Sequence, residues 1–132
     1  MRNAGLTVVP DWVVGTEYTP EGGALAVATF IDEPRRPTAI VAADANEGLG
    51  VWQALHSRGL SVPEDVSLIA IHKLPAEEYR TPRMTCVEMP LRELGRRAAE
   101  AVLDSPWDAT IKETLQDEFT ILGGDTVAPP PS

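Results

Sequence analysis

The sequence predicts an α/β fold, a three-layer αβα arrangement around a mainly parallel sheet. Three observations point there. Short, wholly apolar runs such as "TAIVAAD" (38–44) and "VSLIAI" (66–71) have the chemistry of strands covered on both faces. Segments with apolar residues at 3.6-residue spacing separate such runs. Strand, helix, strand, helix, strand at this spacing makes βαβ units, whose crossovers are right-handed and whose helices cover both faces of the sheet.

In chain order, "WVVGTEY" (12–18) has strand chemistry. Thr19 then offers an N-cap, Pro20 suits a first helical position and Glu21 suits a first turn. In that helix Ala24, Val27, Ala28 and Ile31 share a face and are expected to meet the sheet. "DEPRRP" breaks it, and 38–43 forms the second strand. A helix from Asn46 to about Arg58 carries Leu49, Val51, Trp52 and Leu55, and "RGLSVPED" ends it. Residues 66–71 form the third strand, "KLPAEEYRTPRM" a loop and 85–88 a fourth short strand. Pro90 opens a helix running to about Leu103, with Leu91, Leu94, Ala98 and Val102 on one face. After "DSPWDAT", the run "IKETLQDEFTIL" reads as antiparallel or edge strands, and "GGDTVAPPPS" reads as a tail.

A chain of 132 residues is one ordinary domain with enough length to bury a core. Its net charge of −9 opposes direct contact with nucleic acid, whose phosphates require clustered Lys and Arg. The lone Cys86 has no internal partner for a disulfide, which suits a reducing, cytoplasmic setting. No leader peptide is read at the N-terminus, and no run approaches the roughly 18 apolar residues that span a membrane.

The stretch from "PTAI" through "RGLSVPEDVS" to Tyr79, Pro82 and "ELGRRAAE" resembles the effector-binding domain of the lactose/galactose-repressor family of bacterial transcription regulators. The likeness runs from about Leu6 to Pro130, and "RGLSVPEDVS" is its most specific part. It implies a periplasmic-binding-protein-like fold of type I, with two α/β lobes closing on a small ligand. It also implies that this chain is a C-terminal fragment that begins after the first strand and helix of the second lobe. On that reading 1–88 is a partial second lobe, 89–121 crosses to the first lobe and returns, and 122–132 is a tail. The chain would sense a sugar-like or polyol-like effector and form a homodimer, with DNA reached only through a helix-turn-helix that it lacks. No cofactor is implied. A sugar-transport solute-binding protein is the alternative with the same fold.

In open α/β sheets ligands bind beyond the carboxyl ends of the strands. Tyr18, Asp44 and His72 each sit where an apolar run ends, and Glu88 and Met89 follow the fourth strand. These five are the candidate ligand residues. Asp44 could instead only cap the helix after it, His72 with Lys73 could be a solvated strand end, and Tyr18 could pack in the core. The resemblance implies a subunit interface at Leu49, Trp52 and Tyr79. At the site the chain departs from the family. Asp44-Ala45 replaces the usual Asn-Asp, and Ala70, Ile71, His72 and Lys73 replace Gly, an aromatic and Asp-Asp. Leu122 stands near where an Arg is usual. Asp and His side chains still bond polyol hydroxyls. An enzyme reading, with Asp44 and His72 as an acid/base pair, lacks any supporting motif. No metal-ligand spacing, phosphate loop or nucleophile elbow is present.

Overall fold

A four-stranded sheet in the order β1-β2-β3-β4 forms the centre of the molecule. In this computed structural model the described residues are 3, 5, 7–73, 81–106, 110 and 119–130. The strands are β1 (Ala39–Ala42), β2 (Ser67–Ile71), β3 (Thr85–Glu88) and β4 (Thr120–Leu122), and the helices are α1 (Pro20–Ala28), α2 (Ala45–Ser57) and α3 (Leu91–Asp104). β1, β2 and β3 are parallel, and β4 runs antiparallel at the far edge. The expected strands at 38–43, 66–71 and 85–88 and the second and third expected helices are present within a residue or two, while the first helix ends at Ala28, three residues before the expected Ile31. The edge-strand reading of "IKETLQDEFTIL" holds at β4, while 111–118 lie outside the described residues.

Local chemistry sets the helix ends. Thr19 is extended and its Oγ1 accepts the Gly22 N–H at 3.0 Å, so the first turn of α1 is capped as the sequence suggests. α2 stops where Gly59 takes φ +74, with Gly59 N–H on His56 O and Leu60 N–H on Leu55 O. That is the left-handed glycine cap that "RGL" provides.

α1 and α2 pack against each other so closely that two of their contact positions must be glycine. A Cβ on Gly23 would overlap the Glu47 carbonyl, and one on Gly50 would overlap the Pro20 carbonyl. The pairing explains one difference from expectation. Val27 and Ile31 are buried and Ala24 is half-buried, but Ala28 is exposed, because α1 packs mainly on α2 rather than on strands. α2 in turn covers the sheet face that carries Ala42, Leu68, Ala70 and Cys86, all buried. Val51, Leu55 and Val66 complete this core.

Three further expectations need correction. Residues 12–18 are not a strand. Pro10–Trp12 form a 3-10 turn, and Trp12 and Val14 instead lay their side chains against the core. A strand needs a neighbour to fill its backbone bonds, and β1, the terminal strand of the sheet, does not pair with this segment. Nor do the described residues form a third layer. The face opposite α2 presents Val41, Ile69, Val87 and Ile121, with Val41 and Ile121 each 69% exposed. α3 buries no residue and leaves Leu91, Leu94, Val102 and Leu103 exposed, so it does not cover that face. On its polar side Arg96 and Arg97 bond to Glu93 and hold its carboxyl well below the usual range, near 2.

The third correction concerns the tail. Leu122 belongs to β4, and the residues after it stitch the sheet rather than trail from it. Thr126 is 1% exposed. Its hydroxyl donates to Leu68 O at 2.6 Å and accepts from Thr85 N at 2.9 Å, while its own carbonyl accepts Leu68 N–H. Ser67 Oγ and the Ala128 backbone exchange two more bonds. Thr126→Val keeps the shape but removes the hydroxyl that joins the Thr85 amide to Leu68 O. We expect a loss of about 1–3 kcal/mol in urea unfolding, and an unchanged midpoint would show that the stitch is incidental.

Candidate functional site

Because β1, β2 and β3 are parallel, their carboxyl ends lie along one rim, and the residues that follow them are brought to it. Asp44 follows β1, His72 follows β2, and Glu88 ends β3 with Met89 after it.

Asp44 is the N-cap of α2. Its Oδ1 accepts the Asn46 N–H at 2.7 Å and its carbonyl takes the Gly48 N–H at 2.9 Å. The capping reading is therefore realised, through one of the two carboxyl oxygens.

His72 is held in an unusual way. It has φ +66, the left-handed region that side chains other than Gly rarely adopt. Its N–H donates to Val87 O at 2.7 Å, which continues the β2-β3 ladder one residue past the strand. Its Nδ1 is buried with no hydrogen-bond partner. A strained backbone costs about 1–3 kcal/mol, and an orphaned buried nitrogen adds to that penalty. Both features sit at a strand end on the rim, where such features cluster in functional sites.

Glu88 and Met89 are half-buried, and Met89 O accepts the Leu91 N–H as α3 begins. Tyr18 is 69% exposed and precedes the N-terminus of α1, so it does not pack in the core. Thr16, two residues earlier, bonds to Glu47 in the first turn of α2, which ties the segment before Tyr18 to the end of β1.

Glu47 is the residue that sequence reasoning missed. Only 7% exposed, it accepts the Ala43 N–H through Oε2 at 2.9 Å and the Thr16 hydroxyl through Oε1. One carboxyl thus joins the end of β1, the start of α2 and the segment leading to Tyr18. The signal was legible. Asp44 followed three residues later by Glu47 has the spacing of a capping box. Here the glutamate reaches one residue further back than usual, to Ala43.

Of the expected interface residues, Leu49 and Trp52 are half-buried and lean on the core, and the Trp52 ring stacks on His56 with centroids 5.5 Å apart. Tyr79 lies outside the described residues. Among the described residues no group of three or more His, Cys, Asp or Glu side chains could hold a metal, and no helix is long and apolar enough to cross a membrane.

Comparison with known proteins gives a consistent result. Residues 1–120 match the periplasmic binding protein-like domain. The HTH-type transcriptional repressor PurR of Vibrio cholerae is 33% identical over 104 residues, covering 79% of this chain and 31% of that protein. The ribose operon repressor of Haemophilus influenzae is 28% identical over 103 residues, covering 78% of this chain and 31% of its own length. The chain thus spans about a third of the length of these relatives. Among solved structures, a LacI family transcriptional regulator from Mycobacterium smegmatis superposes with a TM-score of 0.85 at 30% identity, over 99% of this chain and 49% of that one. A LacI family regulator from Enterococcus faecium with bound ribose gives 0.68 at 25% identity, over 86% of this chain and 42% of that one.

Proposed function

Because the chain belongs to the family of periplasmic binding protein-like domains, we propose that it is part of the effector-sensing domain of a repressor-type transcription regulator. The observation that carries this reading is the rim, where parallel strand ends bring Asp44, His72 and Glu88 to one side and His72 holds a strained backbone and an unpartnered Nδ1. Chemistry of this kind suits a ligand rich in hydroxyls. The free carboxyl oxygen of Asp44 accepts, the imidazole accepts or donates, and Tyr18 offers an exposed ring for stacking on a sugar face. Glu88 and Met89 mark the crossover toward a first lobe formed by other polypeptide, with 1–88 as the second-lobe part and 89–121 as the crossing segment. The relatives named above are repressors, and one neighbour holds ribose. Contact with DNA would be made by a helix-turn-helix outside this chain.

The coding sequence upstream of Met1 separates this reading from its transport counterpart. An in-frame helix-turn-helix is expected, and a secretory signal in its place would favour a solute-binding protein.

Ribose is the natural probe of the rim. A ligand clamped by two lobes loses most of its buried contact area when one lobe is missing, so the chain alone should bind it weaker than about 1 mM. In an NMR titration the amides of Asp44 and His72 should shift most. Micromolar affinity, or shifts concentrated away from the rim, would contradict the proposal.

Leu49, Trp52 and Tyr79 form the proposed homodimer surface, each patch meeting its own copy across a two-fold axis. Leu49→Asp should move sedimentation toward monomer. A dimer that survives the substitution would remove α2 from the interface.

A further inference from the structure

Burial alternates along residues 12–17: Trp12, Val14 and Thr16 are half-buried, while Val13, Gly15 and Glu17 are exposed. Among the described residues no strand pairs with this segment, so side chains hold it. Trp12 and Val14 rest on the apolar core, and the Thr16 hydroxyl donates to Glu47 Oε1. Beyond Tyr18, Thr19 caps α1 and its N–H donates to Glu17 O at 2.7 Å. Tyr18 therefore stands between two anchors, one at Thr16 and one at the start of α1.

The first anchor has an alternative built into it. The Thr16 hydroxyl carries one proton and has two acceptors, the Glu47 carboxyl and, at 3.0 Å, Glu17 O. A carboxylate accepts more strongly than a peptide carbonyl, so Glu47 holds the proton's bond. If Glu47 lets go, Glu17 O takes its place and the hydroxyl is not left unsatisfied, which makes release cheap. The acid is not needed to start α2, because Asp44 already caps that helix. A buried carboxyl is costly unless its oxygens are bonded. Each oxygen here serves a different neighbour, Oε2 the Ala43 N–H at the end of β1 and Oε1 Thr16.

We propose that Thr16 and Glu47 form a releasable latch that sets where Tyr18 stands relative to the rim. Glu47, only 7% exposed, is then a positioning residue: it acts on a ligand through the segment before Tyr18 rather than by touching it. With the latch closed, that segment is fixed to the end of β1, next to Asp44, and the exposed Tyr18 ring is offered to the ligand that Asp44 meets. With the latch open, Tyr18 is held from the α1 side alone and moves as a loop residue. The inference rests on the rim reading only for the use to which Tyr18 is put. The latch itself stands on the bonds of Glu47 and Thr16.

The test is 15N relaxation on the full chain and two variants, with the amides of Leu68 and Ala70 confirming that each sample is folded. Thr16→Val keeps the shape and removes the donor. The order parameters of Gly15, Glu17 and Tyr18 should fall below about 0.6, the flexible range, while those of Leu68 and Ala70 stay as they were. Glu47→Gln keeps both links, because its amide oxygen accepts from Ala43 and its amide nitrogen donates to Thr16, whose proton then turns to Glu17 O. It should keep the unaltered chain's order. Rigid Gly15 to Tyr18 in Thr16→Val would overturn the latch. Glu47→Gln as loose as Thr16→Val would overturn it too, by giving the effect to charge rather than to the link. Ribose then separates the two readings. It should shift the Tyr18 amide at least threefold less in Thr16→Val than in the unaltered chain, and an equal shift would overturn the positioning role. Ribose that shifts no rim amide of the unaltered chain would sink the ligand reading, and the order parameters would still decide the latch.

Discussion

The carboxyl group of Glu47 is the point on which the rim depends. Buried at the first turn of α2, it satisfies the Ala43 amide at the end of β1 and anchors Thr16 ahead of α1. Without it the Ala43 amide would lose this hydrogen bond and Thr16 its tie to α2. Its position follows from packing around it. Gly23 of α1 lies directly on the Glu47 backbone, so α1, α2 and β1 meet at one place with no room for a side chain. The orientation of Asp44 as N-cap, and hence the rim at β1, is inherited from that junction.

The rest of the molecule is finished on one side and unfinished on the other. One sheet face is sealed by α2, and the amino ends of β2 and β3 are stitched by Thr126 and Ser67. The other face leaves Val41 and Ile121 exposed, and α3 leaves its apolar stripe in water. Burying a side chain of that size contributes roughly 1.5–3 kcal/mol, against a usual total stability of about 5–15 kcal/mol. The pairing of Glu93 with Arg96 and Arg97 supports α3 only weakly, because solvated ion pairs contribute little.

Much of this was legible in the sequence, and what was not has a physical cause. The parallel strands announced themselves through apolar runs, and the helix starts through Thr19-Pro20 and Asp44. The segment 12–18 misled because strand chemistry states what a segment could pair with, not whether a neighbour is there. The second helical layer misled in the same way, since Val41 and Ile69 read alike whether their own chain covers them or another does. Of the candidate site, Asp44, His72 and Glu88 could be placed at strand ends from the pattern alone. The left-handed φ of His72 had no signal, because it arises from a backbone bond to Val87 across the sheet. Thr126 was lost in a Gly- and Pro-rich stretch that looks like a tail until its hydroxyl is seen between two strands.

Amide hydrogen exchange along β1 tests the central claim most directly, that among the described residues the outer edge of this strand is open except at its end, where Glu47 takes the Ala43 amide. Ala43 should be protected together with the β2 amides of Leu68 and Ala70, while Ala39 and Val41 exchange at rates near those of unstructured chain. Protection of Ala39 and Val41 equal to that of β2, or exchange of Ala43 as fast as Val41, would contradict the account.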